Sequence, residues 1–190
     1  MCGIAGLIHR GKSSNVGEEL QSMLQALKHR GPDSTGYALY ANNDGQNFIL
    51  RFKVGENVGE GSSSVNEDES VYDERKKLVD IMLSDLGAKI IKQDRLTPYS
   101  FRYEMEFNKD LMEFSQKIES IENVEILSIG KSLELIKDLG DAKVVSDRYG
   151  LEKVKGTHAI GHARMATESG VDIKSAHPFW GYPFSDVSVV

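Results

Sequence analysis

The sequence predicts an α+β fold, and three observations predict it. A short apolar run, CGIAGLI at 2–8, has the length and content of a strand. It is followed by a helical stretch in which Leu20, Met23, Leu24 and Leu27 recur at i, i+3, i+4 and i+7. Further along, residues 71–140 alternate helix-period and strand-period segments in the order α-β-β-α-β-α, which points to a small two-layer α/β module.

In order, CGIAGLI is the first strand and SNVGEELQSMLQALKHRG the first helix, with Ser14 or Asn15 as its cap and Gly31-Pro32 as its stop. GYALYANNDGQNFILRFKV contains two β-rich runs around Asn42-Asn43-Asp44-Gly45, which is a hairpin signal. GENVGEGSSSVNEDES at 55–70 has almost nothing to bury and reads as a loop or linker. VYDERKKLVDIMLSDLG is a helix with Leu78, Ile81, Met82 and Leu86 on one side. AKIIKQ and SFRYEMEF are strands, and NKDLMEFSQKIESI is a helix opened by Asn108. VEILSIG is a strand, KSLELIKDLG a helix, and DAKVVSDRYGLEKVKG a further helix. A ferredoxin-like arrangement is expected for this central block. THAIGHARMAT is a strand running into a turn. PFSDVSVV is a strand with nothing to cap it, so the fold is expected to be truncated there.

Composition narrows the function classes. The 190 residues are 39% hydrophobic and 27% charged, as in ordinary globular proteins. A net charge of −6 with no clustered Lys or Arg argues against a nucleic-acid partner. No apolar run approaches the roughly 20 residues of a membrane span. The opening MCGIAGLIHRG has neither the basic lead nor the apolar length of a secretory signal. One cysteine excludes an intrachain disulfide and a Cys-based zinc site. The expected compartment is the cytoplasm.

Three segments could carry chemistry. Cys2 alone could be a small buried hydrophobe. Its position adds a second possibility: removal of Met1 would put a thiol and a free α-amine on one residue, with ordinary pKa values near 8.5 and 8. A nucleophile served by its own terminal amine is a known mode of activation, and Gly3 lets backbone approach a substrate closely. HRGPDSTG at 29–36 is a helix stop and polar turn on local grounds. In GHARMAT at 161–167, Arg164 lies among small residues that leave room beside a guanidinium able to grip a carboxylate with two bonds, or to form a structural salt bridge.

Taken in order, the Cys-Gly-Ile start, the HRGPDS-x-G turn and the GH-x-R-x-AT strand resemble class II glutamine amidotransferases, which are N-terminal-nucleophile (Ntn) hydrolases. The resemblance covers residues 1–54 and 156–190; the 55–155 block looks like an inserted linker plus α/β module, as in stand-alone glutamate synthase-like members of archaea and bacteria. It implies a four-layer αββα sandwich of two sheets between helical layers, truncated at its C-terminus. Cys2 matches the nucleophile. Arg164 matches the arginine that binds the glutamine α-carboxylate, Thr167 a threonine near the substrate, and Arg30 and Gly31 residues lining the nucleophile pocket. Glu168 receives no role, and His177-Pro178 is taken as structural.

The resemblance implies hydrolysis of the L-glutamine side-chain amide through a thioester, with ammonia passing to a synthase partner and no metal or cofactor required. A glutamate synthase-like acceptor, an amidophosphoribosyl- or sugar-aminating acceptor and a non-catalytic docking or regulatory role remain alternatives. It also implies an Asn-Gly pair completing the oxyanion hole and a downstream Asp. Neither occurs up to Val190, so the 190-residue chain by itself is expected to be weak or inactive, since one lost oxyanion donor costs about 100- to 1000-fold.

Overall fold

The computed structural model describes residues 2–42, 45–56, 67–165, 173 and 176–190. It is a mixed α+β structure in which all strand pairing is antiparallel. The first sheet comprises β1 (Gly3–Ile8), β8 (Gly156–Arg164), β2 (Ser34–Ala41) and β7 (Leu133–Leu139), in that spatial order. Helices α1 (Val16–Ala26) and α4 (Ala142–Tyr149) cover one face of it. The core between them joins Val16, Leu20 and Leu24 to Tyr37, Leu39, Ile136 and Val145. Leu20 and Leu24 thus occupy the buried face that the spacing predicts, whereas Met23 turns outward and Val16 replaces it. Neither expected cap residue caps α1 through its side chain: Asn15 makes no such bond, and Ser14 instead bridges to Gly156 and donates to Glu19.

The second sheet has the order β4 (Lys89–Thr97), β5 (Ser100–Glu106), β3 (Phe48–Lys53) and β6 (Glu125–Gly130). Helices α2 (Glu69–Asp85) and α3 (Leu111–Glu119) lie on one face, closing a core of Leu50, Phe52, Val79, Leu83, Phe101, Tyr103, Phe114 and Ile118. Along the chain this is β-α-β-β-α-β, with its first strand placed between the third and the fourth. That connectivity is ferredoxin-like.

The limits of this unit differ from those expected for the insertion. It begins at β3, inside the 1–54 segment, and ends at β6; β7 and α4 return to the first sheet. The expected hairpin around Asn42–Gly45 does not form either. β2 already has β7 and β8 as neighbours and β3 has β5 and β6, so neither has a free edge and the two strands belong to different sheets; Asn43 and Asp44 between them lie outside the described residues. KSLELIKDLG, expected as a helix, is strand β7. All seven of its residues are buried, so apolar and charged side chains point into packed surroundings on both sides and the alternation that marks a half-exposed strand is lost. In α2 the buried side runs through Tyr72, Val79 and Leu83, while Leu78 and Ile81 face solvent. The cap of α3 is Asp110, whose carboxylate accepts from the Glu113 N–H at 2.8 Å; Asn108 lies outside the helix.

Each sheet therefore carries helices on one face, and the two meet along β7, an arrangement consistent with a sandwich. The seam is polar. Glu134 on β7 accepts from Arg51 on β3 (2.5 and 2.9 Å) and from Arg102 on β5 (2.9 and 3.0 Å). Burial alone would raise the Glu134 carboxyl, but the two guanidiniums outweigh it and hold the group at about 2. The final described segment forms a short pair, β9 (Phe179–Trp180) with β10 (Ser188–Val189). Asp186 pins this segment back, accepting from the N–H groups of Lys131, Ser132 and Leu133 in the β6–β7 turn. Among the described residues no helix is long and apolar enough to cross a membrane.

Candidate active site

The three sequence motifs lie far apart in the chain and reach one end of the first sheet. β1 runs antiparallel to β8 with Gly3 opposite Ala163, so Cys2, just before β1, lies at the end of the sheet where β8 carries Arg164. β8 in turn runs antiparallel to β2 with Arg164 opposite Ser34. Directly facing residues in such ladders have Cα atoms about 4.5–5.5 Å apart. Cys2, Arg164 and the Asp33-Ser34 step thus line up across adjacent strand ends, with Cys2 exposed.

Local structure explains how each reaches its place. After α1 the chain turns through a short 3-10 segment, Lys28–Arg30, closed by Arg30 N–H to Leu27 O (2.8 Å) and Gly31 N–H to Lys28 O (3.1 Å). Gly31 then presses against β8. A Cβ there would stand 2.5 Å from both the Ala163 carbonyl oxygen and the Arg164 carbonyl carbon, so only glycine allows the approach. The Asp33 N–H donates to Arg164 O at 3.2 Å, and Gly140 N–H donates to Asp33 O at 3.0 Å. Gly3 plays the matching part on β1, lying where a Cβ would come within 3.1 Å of Leu27 Cβ. Both contacts draw the strand end, the turn and β8 together.

The structure brings Cys2, Arg30, Gly31 and Arg164 to this end of the sheet; Thr167 lies outside the described residues. Arg164 and Arg30 are half-buried and Gly31 is buried.

Sequence reading missed three residues at this end. Ser34, opposite Arg164, is fully buried, and its Oγ has no hydrogen-bond partner among the described residues. His162 is 6% exposed, and its Nδ1 likewise has none. His177, taken as structural, stacks at an angle on His162 with ring centroids 5.0 Å apart. Its backbone carbonyl crosses Gly36 so closely that a Cβ on Gly36 would lie 2.0 Å from the oxygen. Burial lowers the His162 imidazole, and His177 and Arg164 push the same way, so the site favours the neutral ring, which offers one donor and one acceptor. The signal was present, since Ser34 and His162 fall inside the quoted motifs. Nothing local distinguishes a buried, unpartnered His from a solvated one.

Among the described residues no group of three or more His, Cys, Asp and Glu is placed to hold a metal ion. The arrangement puts an exposed thiol, a half-buried guanidinium and two buried polar side chains, Ser34 and His162, at the same end of one sheet.

Residues 1–48 match the model of a glutamine amidotransferase domain. That stretch contains Cys2, Arg30 and Gly31 and stops before β8. Over its whole length the chain is 37% identical, across 195 aligned residues, to a Methanothermobacter thermautotrophicus protein named "Putative glutamine amidotransferase", of which it covers 60%. It is 28% identical over 182 residues to the glutamine amidotransferase-like protein GlxB of Rhizobium meliloti, with 94% of this chain and 54% of that protein aligned. The chain therefore spans little more than half the length of the curated relatives it matches.

Proposed function

We propose that this chain carries the glutaminase site of a class II, Ntn-type glutamine amidotransferase, with Cys2 as nucleophile. The observation that carries this reading is the pairing of Gly3 with Ala163 and of Arg164 with Ser34, which puts the start of β1 and the end of β8 at one end of the sheet. The amidotransferase-domain match over residues 1–48 and the likeness to the two relatives support it.

In this reading Met1 is removed, and the α-amine of Cys2 takes the thiol proton through a water. The thiolate attacks the side-chain carboxamide carbon of glutamine. The tetrahedral oxyanion collapses, its nitrogen is protonated and leaves as ammonia, and a γ-glutamyl thioester remains. Water attacks the thioester, releasing glutamate and restoring the thiol. Arg164 pairs with the substrate α-carboxylate, which selects free glutamine over a glutamine within a chain, because only the free amino acid offers that carboxylate to the guanidinium. Thr167 adds a hydroxyl near the substrate, and Arg30 and Gly31 form the wall behind the nucleophile. Ammonia then passes to an acceptor site on a synthase partner, glutamate synthase-like in the leading version of the proposal.

The test is mass spectrometry of the natural full-length protein after treatment with 6-diazo-5-oxo-norleucine. The expected result is a chain lacking Met1 and alkylated at Cys2, with labelling abolished by Cys2→Ala and slowed by millimolar glutamine. Retained Met1, or labelling of Cys2→Ala at the native rate, would overturn the assignment.

A further inference from the structure

The edge of the first sheet opposite Cys2 holds a different kind of site. Here β6, the end of α3, β7 and the segment 178–182 surround an open-sided cavity of about 200 Å3. Its functional lining is Glu119, Glu125, Lys137, Phe179, Trp180 and Tyr182. Most of the charge is already paired. Lys137 Nζ lies 2.8 Å from Glu125 Oε1, and Lys53 Nζ lies 3.0 Å from Glu125 Oε2 and 2.8 Å from Glu56 Oε1. Two lysines and two glutamates balance in this chain.

Glu119 is the acid left over. Its Oε1 accepts from the Ile126 N–H at 3.1 Å, and no ion pair to it is found among the described residues. The residue is open to solvent along part of its length. Burial of the carboxyl against β6 raises it, the Ile126 N–H opposes that, Glu125 adds repulsion and Lys137 a smaller attraction, with the net direction upward. A cation in direct contact would offset the remaining cost of its charge. The opposite wall suits a cation as well. Trp180 and Tyr182 meet edge to face with centroids 5.5 Å apart, and Phe179 already takes an ammonium, Lys137 Nζ, at 4.9 Å from its ring centroid. Aromatic faces attract ammonium ions through the ring quadrupole, best where water is partly excluded.

We propose that this cavity binds a compact organic ammonium ion, paired with the Glu119 carboxylate and held against the rings of Trp180 and Tyr182. The lining has two carboxylates against one ammonium, so an organic cation completes its charge and an anion of the same size worsens it. The site shares no residue with the end of the sheet that carries Cys2, so its failure leaves the glutaminase reading untouched.

Trp180 is the only tryptophan of the chain, so its fluorescence reports the cavity directly. The experiment titrates the protein with butylammonium chloride at constant ionic strength, beside butanol and sodium butyrate. A saturable change with the ammonium alone is expected, with half-saturation on the order of millimolar, as befits a partly exposed cation site. Glu119→Gln keeps an acceptor for the Ile126 N–H while removing the charge, and should weaken binding ~5-fold or more. Tyr182→Leu, at an exposed ring, should weaken it ~2-fold or more with the fold intact. No saturable change, an equal response to butanol or butyrate, or unchanged affinity in both variants would overturn the proposal.

Discussion

The two sheets have the same recipe, four antiparallel strands and two helices on one face, yet only one gathers the candidate site residues at its strand ends. In the first sheet, glycines at 31 and 36 bring backbone against backbone, Gly3 lies against the Leu27 side chain, Cys2 is exposed, and Ser34 Oγ and His162 Nδ1 are buried with no hydrogen-bond partner among the described residues. In the ferredoxin-like unit the buried and partly buried cations are paired off: Arg51 and the partly buried Arg102 on Glu134, Lys53 on Glu56 and Glu125, and the partly buried Lys76 on Asp80. Functional groups need unspent hydrogen-bonding capacity, and structural ones need it spent.

The contrast can be broken most forcefully at the seam. Glu134→Ala should destabilise the protein by about 3–5 kcal/mol, because it strands the buried Arg51 guanidinium and leaves the partly buried Arg102 only Asp94. The same group sets an acid limb. Its folded value of about 2 lies below its unfolded value near 4.5. The unfolded chain therefore takes up the proton first, and the stabilisation, complete above about pH 4.5, is lost as pH falls toward 2. Urea midpoints measured from pH 6 to pH 2.5 should show this limb in the native protein and a flatter one in the variant.

A matched pair of core truncations separates stability from function. Leu24→Ala in α1 and Leu83→Ala in α2 remove fully buried side chains, and each should cost about 2–5 kcal/mol by chemical denaturation. Only Leu24 packs under the site sheet, where its Cδ1 would lie 2.7 Å from a Cβ on Gly161. Loss of glutamine-analogue labelling at a temperature where both variants remain folded is expected for Leu24→Ala alone. Next in size, Arg164→Lys should weaken glutamine about tenfold through loss of the two-pronged grip, with thermal stability nearly unchanged; calorimetric titration against glutamine checks it. Smallest of all, Leu78→Gln and Ile81→Gln should each shift stability by no more than about 0.5 kcal/mol, since both face solvent on α2. A large loss there would show that this face is covered.

Legibility in the sequence differed in the same way. The ferredoxin-like unit was readable because its elements are strung locally, α2, β4, β5, α3 and β6 one after another, each with its own period. Its first strand, β3, was assigned to the wrong neighbour, because Asn-Asn-Asp-Gly signals a turn without saying whether the flanking strands pair. In the candidate site, Cys2, Arg30, Gly31 and Arg164 were legible as residues of three motifs. Ser34 and His162 were not, because burial is a property of what packs on a residue and not of the residue.

By itself, the sequence determined the class of the fold, the positions of α1 to α4 and most strands, and the three segments that carry the candidate chemistry, since these rest on local periodicity, capping and glycine placement. Only the tertiary structure decided that Leu133–Leu139 is a strand. Its Leu133, Leu135, Ile136 and Leu139 share one side of a helical projection, so the local pattern favours a helix, and only pairing in the sheet with burial on both sides makes it a strand. Only the tertiary structure decided that segments starting at residues 3, 34 and 156 share one sheet. Such pairings are fixed by the burial of long-range neighbours and by register, which no local pattern encodes.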